Sequence, residues 1–178
     1  MKIIKPSVVI ENQDWSVLGH SNISVKFVCD RGVSHEIVRH RLASDSQEST
    51  RYCNYGHDDE ITVIEPCFWE NRSVNKSIWE FAMESAETCY LELLKEGATP
   101  QGARSVLPNS LKTEIWMTAN IREWLHFFSL RAAKPAHPQM RQVAIPLLLE
   151  LSHLLPPIFG PVYFDRDFPI EHYAEVVS

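Results

Sequence analysis

The sequence predicts an α/β fold of the α+β kind, one compact domain over residues 1–178 in which short strands and longer helices share a core. Three observations predict it. Two-residue alternation of apolar side chains, clearest over residues 22–28 and 111–118, is interspersed with stretches of helical periodicity. With 178 residues, 44% of them hydrophobic and 10% aromatic, the chain is long enough to bury a sizeable interior. No internal repeat, low-complexity tract or interdomain linker divides it.

Residues 2–10 read as a short strand in which Pro6 either confines the segment to a sheet edge or delays its start to Ser7. Over residues 22–28, Ile23, Val25 and Phe27 face one way and Ser24 and Lys26 the other, as in a half-buried strand. From Arg31 the period changes. Val33, Ile37, Val38 and Leu42 recur at helical spacing behind Asp30 as N-cap, which predicts a helix running out near Ala43. Residues 61–64 form another short strand, stopped by Pro66. The clearest helix covers about residues 73–95, with Ile78, Phe81, Ala82, Cys89, Leu93 and Leu94 as its stripe and Gly97 as its stop. Glu80, Glu84, Glu87 and Glu92 fall on its solvated sides.

Thr99-Pro100 pairs an N-cap with a first-turn proline and opens a short helix through Arg104. Residues 111–118 alternate as a strand. Asn120 with Glu123 three residues on resembles a capping box for a helix over residues 121–131 that buries Ile121, Trp124, Leu125 and Phe128. Pro138 opens the last long helix, in which Pro146 is expected to produce a kink or a break. Beyond Pro156-Pro157 the chain reads as proline-rich and irregular.

The net charge of −6 argues against a general binder of nucleic-acid polymers, which are usually met by a basic surface. A small anion held in a local arginine cluster stays compatible with that total. The four cysteines, Cys29, Cys53, Cys67 and Cys89, are widely spaced and form no Cys-x-x-Cys pair. They read as free thiols of a reducing, cytoplasmic compartment rather than a disulfide framework or a zinc site. No signal-peptide pattern opens the sequence, and no apolar run reaches the ~18 residues of a membrane span. No membrane partner is expected.

Specific chemical motifs are few. Ser49 sits in no Gly-x-Ser-x-Gly elbow, and neither a Gly-x-Gly-x-x-Gly nor a Walker loop occurs. His35 and His40 do not stack on one helix face, and no carboxylate completes a metal triad with them. Pro66-Cys67 is too common a dipeptide to mark a nucleophile. The exception is residues 39–52, where three guanidiniums, an imidazole and a run of hydroxyl and amide side chains end on Tyr52. Arginine offers a planar fork that matches phosphate oxygens in pairs, and Ser49 and Thr50 add donors for the same anion. Composition alone permits a solvated basic turn here, but an acidic chain has concentrated positive charge at this point. Arg104, Arg122 and Arg131 are candidates to join it. Arg122 lies in the first turn of its helix, where the dipole disfavours a cation unless an anion is near.

Arg39-His40-Arg41, followed by seven residues and then Ser49, resembles the signature of the flavin-dependent thymidylate synthases. So do Ser16-Val17-Leu18-Gly19-His20, Ala103-Arg104-Ser105-Val106-Leu107-Pro108, Thr118-Ala119-Asn120-Ile121-Arg122 and Leu130-Arg131-Ala132, in the family's order across roughly residues 14–150. The resemblance implies a mixed, mainly antiparallel sheet packed by helices, with active sites at subunit interfaces of a homotetramer. It implies synthesis of dTMP from dUMP, with FAD as cofactor, NADPH as reductant and 5,10-methylenetetrahydrofolate as one-carbon donor. A 178-residue domain would struggle to enclose three such ligands alone.

Carried over by position, the resemblance assigns Ser16, Arg39, His40, Arg41, Gln47, Asn120, Arg122 and His126 to the flavin, some from a neighbouring subunit. It assigns Glu36, Arg39, Gln47, Glu48, Ser49, Thr50, Arg51, Arg104 and Arg131 to the nucleotide. Arg131 would activate the uracil, stabilising charge as N3 ionises and electron density reaches C5, with no protein nucleophile. Four features depart from the family pattern. Ser46-Gln47 stands where Asn-Glu is common, Glu36 where glutamine is usual, and Pro135 where the flavin site has a histidine. The usual N-terminal helical segment is missing from the sequence. Two alternatives follow from these departures: a flavin- or nucleotide-binding homologue that has lost methylation, and a related nucleotide hydroxymethylase.

Overall fold

The structure is a computed structural model that describes residues 1–10, 21–52 and 60–177. The segment holding Ser16 and the cysteine at position 53 lie outside the described residues. Pro6 splits the first predicted strand into β1 (Lys2–Ile4) and β2 (Ser7–Ile10), which enter different sheets. Next come β3 (Asn22–Asp30), α1 (Arg31–Ile37), β4 (Ser44–Gln47), β5 (Thr62–Ile64) and the long α2 (Val74–Lys95). Then follow α3 (Pro100–Ala103), β6 (Lys112–Asn120), α4 (Ile121–Arg131), α5 (Pro138–Leu154), α6 (Pro156–Phe159) and β7 (Glu175–Val177).

The main sheet has the order β4-β6-β3-β2-β7, antiparallel throughout except for the parallel β2–β7 edge. This is the mixed, mainly antiparallel sheet expected. A second, two-stranded sheet pairs β1 with β5 in parallel. Strands β3 and β6 form the spine of the main sheet, in register from Asn22↔Asn120 to Asp30↔Lys112. Ile23, Val25, Phe27 and Cys29 of β3 and Ile115, Met117 and Ala119 of β6 turn into the core on alternate residues. Helices α4 and α5 cover that face. Burying one such side chain contributes about 1.5–3 kcal/mol. Trp124 of α4 sits among Phe27, Phe127 and Phe128 and donates its indole N–H to the Ile23 carbonyl at 3.1 Å, fastening α4 to β3.

Both spine strands end on a residue that caps the helix after it. Asp30 Oδ1 accepts from Val33 N at 2.8 Å, and Asn120 Oδ1 from Glu123 N at 2.9 Å. Because the strands are antiparallel, α1 and α4 start at opposite ends of the sheet. Ser73 and Thr99 cap α2 and α3 in the same way. Gly97, at φ +87°, closes α2: its N–H bonds the Leu94 carbonyl and the Ala98 N–H bonds that of Leu93, the paired pattern of a left-handed stop. Among the described residues, no helix is long and apolar enough to cross a membrane.

Several expectations need correction. Helix α1 stops at Ile37, not near Ala43, and the next amides, Arg39 and His40, bond three residues back in a tighter turn that swings His40 inward. Val38 and Leu42, expected on the buried stripe, are exposed. The inner face of α2 is Trp79, Met83 and Tyr90, packed on Ile61, Val63 and Leu111 in a second core. Ile78 and Phe81, expected on the buried stripe, instead face solvent at 61% and 71% exposure, beside Val74 at 75%, because the second core packs against the Trp79 side of the helix. Glu87 is not merely solvated, since it accepts from Ile61 N at 2.8 Å.

Helix α5 runs through Pro146 unbroken. A proline has no N–H for the Gln142 carbonyl, and that carbonyl accepts from Ala174 N at 2.9 Å instead. The supposedly irregular tail thereby docks on α5 and delivers β7 to the edge of β2.

Candidate active site

The residues that bear chemistry gather in two groups on either side of β4. The first forms where the turn after α1 meets α4. His40, 3% exposed, is the inward member of Arg39-His40-Arg41, while both arginines face out. Its ring lies 4.9 Å from Phe127 and 5.6 Å, edge-on, from His126. His40 Nδ1 is 3.0 Å from Glu123 Oε1, and its Nε2 accepts from Arg131 Nε at 3.1 Å. Burial pulls the imidazole pKa below its usual value, outweighing the upward pull of Glu123, so the ring is neutral at pH 7.

Arg131 closes the last turn of α4 and engages all three of its side-chain nitrogens. One terminal nitrogen meets Glu36 Oε2 at 2.5 Å and the other donates to the Glu36 carbonyl at 3.0 Å. Arg39, His40, Arg41, Leu42, Glu123, His126, Leu130 and Arg131 line an open cavity of about 320 Å³. Arg122, His126 and Leu130 follow one another at four-residue spacing along an exposed ridge of α4 leading into it. Ligand atoms of His40, Glu123 and His126 lie within 4.8 Å of one another. Both His40 nitrogens are already engaged, and the guanidinium beside them opposes a metal cation.

The second group follows β4. Thr50 is buried, and its Oγ1 accepts from Arg104 across 54 residues of sequence at 3.4 Å. Ser49 Oγ accepts from Arg51 N at 3.4 Å, and the exposed Arg51 guanidinium lies 5.2 Å over the Tyr52 ring. Glu48 reaches Lys112 at 3.5 Å. Gln47, predicted to touch both ligands, turns its amide donors inward to Ser34 Oγ at 2.8 Å and Thr113 Oγ1 at 3.2 Å, bracing β4 against α1 and β6.

Within one protomer, then, Glu36, Arg39, His40, Arg41, His126 and Arg131 come together, as do Thr50 and Arg104. Asn120 and Arg122 sit at the start of α4, with about 13 Å of helix between Arg122 and Arg131. Ser16 lies outside the described residues. Sequence reasoning saw Glu123 only as a cap partner; its spacing of four and eight from Phe127 and Arg131 puts all three on one helix face and was the available signal. A separate cavity of about 530 Å³, lined by Lys5, Trp69 and Gln142 among others, holds none of the predicted residues. Its cysteine, Cys67, is pushed up to about 11 by burial and is protonated at neutral pH, the wrong state for a nucleophile.

Residues 5–157 match the family model described as thymidylate synthase complementing protein. The chain is 35% identical over 145 residues to the flavin-dependent thymidylate synthase of Geobacter sulfurreducens, covering 81% of this chain and 62% of that protein. It is 38% identical over 147 residues to that of Sulfurisphaera tokodaii (82% and 56%) and 33% over 183 residues to that of Mycobacteroides abscessus (94% and 70%). The chain thus spans under two thirds of the length of the first two of these relatives. In fold it is similar to a UMP/dUMP methylase of Streptomyces cacaoi bound with 5-Br dUMP, at a TM-score of 0.75, 18% identity, and coverage of 90% of this chain and 96% of that one.

Proposed function

This chain belongs to the family of the flavin-dependent thymidylate synthases, and we propose that it catalyses the reductive methylation of dUMP to dTMP. The observation that carries the reading is the Arg131 fork, held by His40 and Glu36 at an open cavity walled by Arg39 and Arg41. The co-substrates are NADPH and 5,10-methylenetetrahydrofolate. The structural neighbour, whose own ligand is a 5-bromo analogue of dUMP, supports a pyrimidine nucleotide as the substrate.

The residues present fit FAD. Arg39 and Arg41 at the cavity, with Arg122 further along the exposed ridge of α4, offer guanidiniums for its diphosphate, and neutral His40 with His126 offers a ring-lined wall. When bound, the flavin supplies the redox chemistry. The chain's own residues bind and orient. Thr50, Arg51 and Arg104 take the nucleotide phosphate, and the free donors of Arg131 lie against the uracil and stabilise charge as N3 ionises. No thiol takes part.

A cavity of about 320 Å³ is too small for a dinucleotide, which supports an active site completed by other copies of the chain in a homotetramer. The exposed row Val74, Ile78 and Phe81 on α2 supports self-association. Cys29, Cys67 and Cys89 as free thiols fit a cytoplasmic protein. One observation favours the second reading, a homologue that binds but does not methylate: the Glu36 carboxylate already occupies part of the Arg131 fork. Release of tritium from C5-labelled dUMP, dependent on FAD, NADPH and methylenetetrahydrofolate, is the expected result. A flavin-loaded protein that oxidises NADPH yet releases no tritium and does not rescue a thymidine-requiring strain would overturn the first reading in favour of the second.

A further inference from the structure

We propose that Glu123 is a positioning residue, which fixes the tautomer of His40 and through it the guanidinium of Arg131. The argument about the tautomer stands on geometry alone; its consequence for turnover rests on the function proposed above.

A carboxylate 5% exposed is costly to bury unless something donates to it. The backbone of Glu123 is the capped amide of α4, but its side chain does not turn back to complete the capping box. It reaches His40 Nδ1 at 3.0 Å instead. The other end of the imidazole meets Arg131 Nε at 3.1 Å. An arginine N–H can only donate and a carboxylate can only accept, so both neighbours demand the same form: hydrogen on Nδ1, lone pair on Nε2. Phe127 and His126 pack against the ring, with centroids at 4.9 Å and 5.6 Å.

The consequence falls on Arg131. Its Nε–H is spent on His40 and one N–H of each terminal nitrogen on Glu36, which leaves two of its five donors for a ligand, in a fixed plane. The groups facing His40 are Glu123, His126 and Arg131 from α4; Glu36 of α1 reaches it through Arg131, and Arg39 and Arg41 flank it in the chain. A proton added to Nε2 would point at the Arg131 N–H and undo the hold. Burial, which lowers the His40 pKa, keeps that proton off at neutral pH.

The test uses full-length protein labelled with 15N in its histidines. At pH 7 and without ligands, the His40 resonances are expected to show protonated Nδ1 and unprotonated Nε2; a ring protonated on Nε2 overturns the proposal. In Glu123→Gln the amide oxygen still accepts from Nδ1–H but without the charge that strengthens the bond, so the hold on the ring weakens and the His40 titration should move to lower pH. In turnover, kcat of Glu123→Gln should fall about 10- to 100-fold, the worth of a charge-assisted hydrogen bond, with KM for dUMP within about twofold. An unchanged kcat overturns the proposal. So does a wild-type acid limb of kcat that fails to follow the measured His40 titration, an observation that needs no variant to fold. Absence of synthase activity in the wild type removes the proposed function instead, and the spectrum still decides the tautomer.

Discussion

Replacing Arg131 with lysine separates charge from geometry at the candidate active site. Arginine here spends three donors in one plane: Nε on His40 at 3.1 Å, one terminal nitrogen on Glu36 Oε2 at 2.5 Å and the other on the Glu36 carbonyl at 3.0 Å. An ammonium on a flexible stem keeps the ion pair with Glu36 but abandons His40, whose Nε2 is then buried without a partner. That orphaned acceptor costs about 1–3 kcal/mol. For a chain of this size, each kcal/mol lowers the melting temperature by about 2–4 °C. The effect on chemistry should be larger. Loss of a preorganised donor to developing negative charge typically costs about 10²–10³ in kcat. The assay is chromatographic quantification of dTMP, run beside flavin absorbance and a thermal melt of the same preparation. A folded, yellow, nearly inactive Arg131→Lys protein is the expected outcome. Turnover within about threefold of wild type would refute the requirement for a planar fork. Loss of flavin together with activity would move Arg131 from the substrate to the cofactor.

Three further outcomes are expected. Arg51→Ala should raise the dissociation constant for dUMP by about 10- to 100-fold, as loss of a charged phosphate contact would, and an unchanged constant by calorimetry removes Arg51 from the phosphate site. Trp124→Phe removes the bond to the Ile23 carbonyl and leaves a void against Phe27; unfolding in denaturant should show a loss of about 2–4 kcal/mol, and a loss below about 1 kcal/mol would mean α4 is fastened elsewhere. Ile78→Glu places a charge in the exposed row of α2 and should dissociate the oligomer into folded protomers in sedimentation velocity; an unchanged species would exclude that row from the interface.

What could be read in advance was local. The alternation of β3 and β6 and the three caps at Asp30, Thr99 and Asn120 depend on neighbours in the chain, and they appear where the residues suggest. The end of α1 was not legible, because His40 is drawn inward by Glu123 and Arg131, more than 80 residues away. The inner face of α2 was ambiguous because the helix carries two apolar stripes and only the position of Ile61, Val63 and Leu111 chooses between them. Gln47 looks like a ligand contact in sequence, but Ser34 and Thr113 claim its donors once α1 and β6 are packed. The short strand β7 has no periodicity to find; its partner, β2, lies near the opposite end of the chain.

The proline in α5 has an effect beyond that helix. By leaving the Gln142 carbonyl open, Pro146 creates a socket into which the Ala174 amide fits, so the middle of a buried helix and the rim of the sheet share a single peg. Disturbance at either should be felt at both. The Ala174 amide should therefore resist hydrogen exchange as stubbornly as the helical amides around it, rather than fraying with the outermost strand beside it. An alanine at position 146 would strengthen the helix as an isolated peptide, yet it would set a second claimant on the same oxygen and loosen the rim.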